Sequence, residues 1–216
     1  MRNLWDDTRA DEAGTGLGLR AYSSRLIGSD PRLVLHGGGN TSWKGSVTDR
    51  FGVAQPVIWV KASGFDLGTM GAEGFTALSL PALLALAELE SLSDADMVTE
   101  VKRARLDPQA AAASIEAIVH ALVPFAFVDH SHADAVLTLS NSAGGTDRLS
   151  GDGGTDRLRE VFGPRVMVLP YVKPGFDLAR QMRDVVRSAA FAGAEAIVLE
   201  HHGVFTWGQT ARESYD

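Results

Sequence analysis

The chain has no cysteine in its 216 residues. That excludes disulfides and thiolate metal ligands, so any metal here would have to be held by histidine and carboxylate. Positive charge is also scarce. Lys and Arg number 20 against 27 Asp and Glu, the net charge is −7, and no basic stretch interrupts the sequence. The electrostatic footprint of a nucleic-acid-binding protein is therefore missing. No apolar run reaches the roughly 18 residues of a membrane span. The opening residues Met1 to Asp7 lack the apolar centre of a secretory signal. These absences set the expectation of a cytoplasmic protein with neither a nucleic-acid nor a membrane partner.

What is present is an ordinary globular balance, 45% hydrophobic and 22% charged, close to the averages for folded domains. A chain of this length can bury one sizeable core. No linker divides it, and residues 1–216 read as one α/β domain. Thr210 to Asp216 read as the first turns of a helix without a C-cap, so the chain is expected to be a fragment of a longer protein or to have an unusually abrupt end.

Residues 1–14 are polar and expected to fray. Leu17 to Ile27 carries apolar side chains at helical spacing and stops at Gly28. Leu33 to Leu35 reads as a short strand with Thr41 to Lys44 as its hairpin partner, and Val57 to Val60 as another strand. Helices are predicted from Pro81 to Leu92, with proline near the first turn, from Asp94 to Arg105 and from Ala110 to Leu122. Strands follow at Phe125–Asp129, Val166–Leu169 and Ala196–Leu199, with a long helix from Phe176 to Phe191 between the last two. Gly144–Leu149 recurs as Gly153–Leu158. The offset is too short for a solenoid unit and reads as a duplication in a surface loop, its second copy opening a helix.

The most informative residues are histidines. Six occur, and His130-Ser131-His132 places two of them at alternate positions where a strand is predicted to end. Side chains two apart on an extended segment point to the same side. A third histidine, from Glu200-His201-His202-Gly203, can complete a set of three neutral imidazoles, the pattern of a catalytic zinc with one position open. His201 and His202 cannot both point inward from one strand. A lone histidine is more often structural than a ligand; three at strand ends in a cysteine-free chain weaken that plainer reading.

Glu116 and His120 are four apart and share a face of the predicted helix. The pair reads either as a solvated face or as Glu116 serving a metal site as ligand or general base. Gly37-Gly38-Gly39-Asn40-Thr41-Ser42 reads either as a glycine-rich turn or as an anion nest. Its spacing is not that of a dinucleotide-binding loop. Ser63-Gly64, after the Val57–Val60 strand, is a second candidate for holding an anion.

In combination and in order, His36-Gly37-Gly38-Gly39-Asn40-Thr41-Ser42, Lys61-Ala62-Ser63-Gly64, Ser114-Ile115-Glu116, His130-Ser131-His132 and His202-Gly203 resemble the class II aldolase/adducin family. The likeness runs from about residue 17 to the end. It is nearest to the aldolase part of bifunctional rhamnulose-1-phosphate aldolase/alcohol dehydrogenases, in which a dehydrogenase domain follows. The resemblance implies an α/β fold of the α+β type, three layers (α/β/α) around a central, mainly antiparallel sheet, in a homotetramer with sites at subunit interfaces. It implies Zn²⁺ held by His130, His132 and His202, with Glu116 as the catalytic acid/base and Asn40, Ser63, Gly64 and Ser114 around the substrate phosphate. Other divalent transition metals suit the same donors.

The implied reaction is cleavage of a ketose 1-phosphate, rhamnulose-1-phosphate-like, to dihydroxyacetone phosphate and an aldehyde through a metal-stabilised enediolate. A second base is required. The three tyrosines, Tyr22, Tyr171 and Tyr215, are placed by no motif. One departure concerns the phosphate: Ala113-Ser114-Ile115 precedes Glu116, where family aldolases often carry two serines. Alternatives are a sugar-phosphate epimerase or dehydratase, or a non-enzymatic adducin-like interaction module. Glutamate rather than aspartate at 116 favours aldol cleavage over epimerisation, and the retained histidines weigh against the module.

Overall fold

Alternating burial and β-branched or aromatic side chains build the centre of the molecule. The computed structural model describes residues 2–142, 144 and 163–216. Among them, seven strands form one sheet. They are β1 (Asn40–Thr48), β2 (Ala54–Lys61), β3 (Phe75–Ser79), β4 (Phe127–Ser131), β5 (Val166–Leu169), β6 (Ala196–Leu199) and β7 (Gly203–Gly208). Their spatial order is β3-β2-β1-β4-β7-β6-β5. Every neighbouring pair is antiparallel except β5 with β6.

The α-helices among the described residues are α1 (Asp7–Ala13), α2 (Leu17–Gly28), α3 (Leu80–Ala87), α4 (Asp94–Arg103), α5 (Ala117–Leu122), α6 (Asp134–Asn141), α7 (Phe176–Val186) and α8 (Ala211–Tyr215). The larger apolar cluster joins Ile58, Val60, Val128, Ile197 and Phe205 of the sheet to residues of α3, α4, α5 and α7. A smaller one, which includes Ala21 and Ile27 of α2, has Trp59 packed against it. Ile58 and Val60 go one way and Trp59 the other, as strand alternation requires. The mainly antiparallel sheet with helices on both faces is the architecture that the family resemblance implied. No helix among the described residues is long and apolar enough to cross a membrane.

Several local expectations are corrected. Leu33–Leu35 is a loop, not a strand. Its backbone receives hydrogen bonds from the chain after β4 instead, His132 N–H to the Leu33 carbonyl and Asp134 N–H to that of Arg32. The hairpin partner of β1 is β2. Ala110–Leu122 is helical only from Ala117. The alanines before it have high helix propensity, but their backbone bonds are taken by the loop after β2: Ser63 N–H to Ala112 and Ser114 N–H to Lys61. Tertiary pairing overrides propensity there. Residues 7–13 do not fray, because Asp6 caps α1 at the Arg9 N–H. The Pro81–Leu92 helix ends at Ala87. The Phe176–Phe191 helix ends at Val186 and passes into a 3₁₀ turn at Ala189–Gly193. Most of the Gly-Gly-Thr-Asp-Arg-Leu repeat, including its second copy, lies outside the described residues.

Candidate metal centre

The centre is built where β4 and β7 run antiparallel at the middle of the sheet. His130 lies on β4 opposite Phe205 of β7, and the Phe205 ring stacks on its imidazole at 4.1 Å between centroids. His132 follows two residues later, just past the strand, and turns to the same side. Its Nε2 is 3.1 Å from the His130 Nε2. His202 comes from the tight turn joining β6 to β7. The following residue has to be glycine: a Cβ on Gly203 would lie 2.2 Å from the Ser131 carbonyl oxygen. One nitrogen from each of the three imidazoles lies within 4.8 Å of the others.

Glu116 reaches this cluster from the residue before α5. Its Oε2 is 3.5 Å from the His130 Nε2 and its Oε1 is 3.3 Å from the His202 Nε2. The carboxylate is 5% exposed. Oε2 accepts a hydrogen bond of 2.7 Å from the Asn40 amide, whereas Oε1 is buried without a hydrogen-bond partner, as is the His202 Nδ1.

Burial keeps all three imidazoles neutral at ordinary pH. It pushes His130 down to about 3, helped by neighbouring His132 and opposed by its bond to the Val204 carbonyl. It pushes His202 down to about 4, helped by His130 and opposed by Glu116. His132 is lowered by the same cause. A neutral His130 must donate its Nδ1–H to the Val204 carbonyl, 3.1 Å away, which leaves a lone pair on Nε2 facing His132. Neutral imidazoles with fixed lone pairs, converging beside an unpartnered buried carboxylate oxygen, fit a divalent cation.

One cleft of about 280 Å³ contains Glu116, His132 and His202, and also Asn40, Ser63, Gly64 and Ser114. The sequence-predicted residues are thus gathered in one place, with His130 buried beside them. His201 is turned away, its Nδ1 2.8 Å from the Asn141 Oδ1, in a left-handed backbone conformation. His36 is exposed and absent from the cleft lining. None of the three tyrosines lines the cleft. A separate, mainly apolar hollow of about 340 Å³ contacts Val136, Val198 and Tyr215 and holds no histidine.

Two residues named in the sequence motifs were given no role in the site. Lys61, at the end of β2, is 3% exposed, lines the cleft and donates to the Gly37 carbonyl at 3.0 Å. Burial lowers its pKa. A charged residue closing the apolar run Val57–Val60 was its signal. His120 is fully buried under Asn40. Its spacing from Glu116 marked it as a neighbour, but only the fold supplies its partners.

A partly buried three-histidine cluster that could hold a metal ion, with an adjacent glutamate and mounted on a mainly antiparallel sheet, is an arrangement of the class II aldolase kind. Residues 20–216 match the family described as Class II Aldolase and Adducin N-terminal domain, and the chain belongs to that family. It is similar to a crystallised N-terminal class II aldolase domain of a conserved protein from Thermoplasma acidophilum. The identity is 39%, over 100% of this chain and 93% of that one, with a TM-score of 0.86. A sugar-phosphate aldolase from Thermotoga maritima shares the fold at 13% identity and a TM-score of 0.56, over 90% of this chain and 85% of that one. A curated relative, the uncharacterized oxidoreductase YuxG of Bacillus subtilis (strain 168), is 34% identical over 215 residues. The match covers 100% of this chain but 30% of that protein's length.

Proposed function

We propose that this domain is a metal-dependent, zinc-type aldolase that cleaves a ketose 1-phosphate, rhamnulose-1-phosphate-like, to dihydroxyacetone phosphate and an aldehyde. The observation that carries the reading is the convergence of three neutral imidazoles and one carboxylate on a cleft whose other wall offers anion-binding groups. His130, His132 and His202 are the proposed ligands. A bound divalent cation would supply electrophilic stabilisation of negative charge on substrate oxygens.

Glu116 is the proposed proton carrier. When the C3–C4 bond breaks, the C4 hydroxyl passes its proton to a second base, a role assigned to none of the residues lining the cleft, the electron pair of the bond remains on C3, and Glu116 delivers a proton there; in the synthetic direction it removes that proton. Its contacts with His130 and His202 support that role. The Ser114 Oγ already accepts from the Asn40 amide at 3.1 Å and from the Glu116 N–H at 3.3 Å. A hydroxyl that accepts twice keeps its one hydrogen to donate, and in this cleft a phosphate oxygen is its proposed acceptor. Asn40 serves the phosphate through Ser114. Ser63 and Gly64 add donors, and Lys61 adds positive charge to the same wall.

The proposal extends to a homotetramer and to a dehydrogenase domain following this one in the full-length protein. The short span of YuxG that the chain matches supports the second part. The deciding experiment combines elemental analysis with a screen of ketose 1-phosphates, identifying products by mass. About one metal ion per chain and release of dihydroxyacetone phosphate are expected. An epimerised or dehydrated product would replace the aldolase reading with one of the other family chemistries.

A further inference from the structure

Glu116 is held from behind by a line of hydrogen bonds whose donors and acceptors can be assigned by chemistry alone. A carboxylate accepts only, so the Asn40 group 2.7 Å from Oε2 is the amide Nδ2. The Asn40 Oδ1 is then the end that faces the His120 Nε2. An oxygen there requires that Nε2 carry the ring proton, which leaves Nδ1 to accept from the Ser42 hydroxyl at 2.8 Å. Burial holds the His120 imidazole neutral, in keeping with one proton and one lone pair. Asn40 and Ser42 are two apart on β1 and face the same way. His120 bridges them from α5, one turn after Glu116. The edge of its ring also meets Phe205, the residue stacked on His130.

The line Ser42–His120–Asn40–Glu116 has no free donor until it reaches the carboxylate. Asn40 spends one amide hydrogen on Glu116 and the other on Ser114. If the His120 N–H were lost, the amide could turn over and aim its oxygen at the carboxylate, which repulsion would then displace.

We propose that His120 is a positioning residue for Glu116, acting through Asn40: it fixes which end of the amide faces the carboxylate. The role in turnover rests on the reading of Glu116 as the proton carrier; the hydrogen-bond line itself does not.

The test uses the purified chain with its bound metal, in wild-type form and as His120→Leu and His120→Gln. Leucine removes the donor, and glutamine restores an N–H near the position of Nε2. The side-chain amide resonances of Asn40, identified by their loss in Asn40→Asp, are expected to exchange slowly with solvent in wild type and His120→Gln. In His120→Leu they should exchange at least about tenfold faster. Because misplacing a reacting group by about 1 Å can cost about 100-fold, kcat should fall roughly 10–100-fold in His120→Leu. KM and metal content should stay unchanged, and most of the rate should return in His120→Gln.

Unchanged Asn40 exchange in a folded His120→Leu protein overturns the proposal. So does a glutamine variant no faster than the leucine variant. Should His120→Leu fail to fold, Ser42→Ala cuts the line one bond earlier and is read by the same exchange measurement. A wild-type protein that cleaves no ketose phosphate counts against the aldolase reading, and the Asn40 resonances then decide this proposal without it.

Discussion

Glu116 and the three histidines make separable demands. Glu116→Gln keeps the size of the side chain and removes the proposed proton carrier, so metal content should persist. Loss of a positioned acid/base group costs about 100- to 10,000-fold in rate, and steady-state kinetics on the loaded protein would show it. Equal turnover by the variant would remove Glu116 from the chemistry. The histidines predict a pH dependence of the metal-free fold. Unfolded, His130 and His202 titrate near 6.5; folded, they stay unprotonated down to about 3 and about 4. Between those limits the unfolded chain binds more protons, so the stabilisation is complete above 6.5 and is lost as pH falls toward 3. At pH 5, His130 alone accounts for a loss on the order of 2 kcal/mol. Urea titrations of chelator-treated protein at pH 7.5 and 5.0 would measure it, and equal midpoints would contradict the burial argument.

At the scale of elements, the β6–β7 turn is the sensitive joint. It must pass the chain close enough to β4 for His202 to reach His130, and Gly203 makes that approach against the Ser131 carbonyl. Gly203→Ala should cost about 2–4 kcal/mol in overpacking and backbone shift and release the metal. Differential scanning fluorimetry with metal analysis separates the two effects. The C-terminal α8 offers a milder case. Thr210 and Glu213 form a reciprocal capping box, and Thr210→Ala should cost about 1 kcal/mol, read from chemical denaturation, with the metal retained.

Across the whole molecule, a buried ion pair ties the layers on the side of the sheet away from the histidine cluster. Arg20 of α2 sits 2.6 Å from Asp129 of β4, whose other oxygen accepts from Ser214 of α8. Burial lowers the Arg20 pKa against the opposing pull of Asp129. Arg20→Leu would strand the carboxylate, and such losses cost about 3–5 kcal/mol. A melting temperature within a degree or two of wild type would show that the pair stabilises little. The proposed homotetramer has a direct check in light scattering, which should return about four times the 23.0 kDa chain mass.

The amino-acid sequence by itself determined the donor chemistry and much of its placement. With no cysteine, any metal would have to go to histidine and carboxylate, and His130-Ser131-His132 put two imidazoles on one side through strand alternation alone. Gly28 and Pro81 marked helix boundaries because their backbone preferences act locally. Strand pairing, by contrast, is a relation between distant segments. Nothing near Leu33–Leu35 says that its carbonyls will be used by the chain after β4, or that the alanines at 110–113 will give up helix for the loop after β2. The choice of His202 over His201 needed the turn geometry or a family likeness. The contacts that hold Glu116, from residues 40, 42 and 120, became visible only when β1 was laid beside β4 and α5 was packed over them. Hydrogen bonds depend on ångströms in space, and a sequence records only order along the chain.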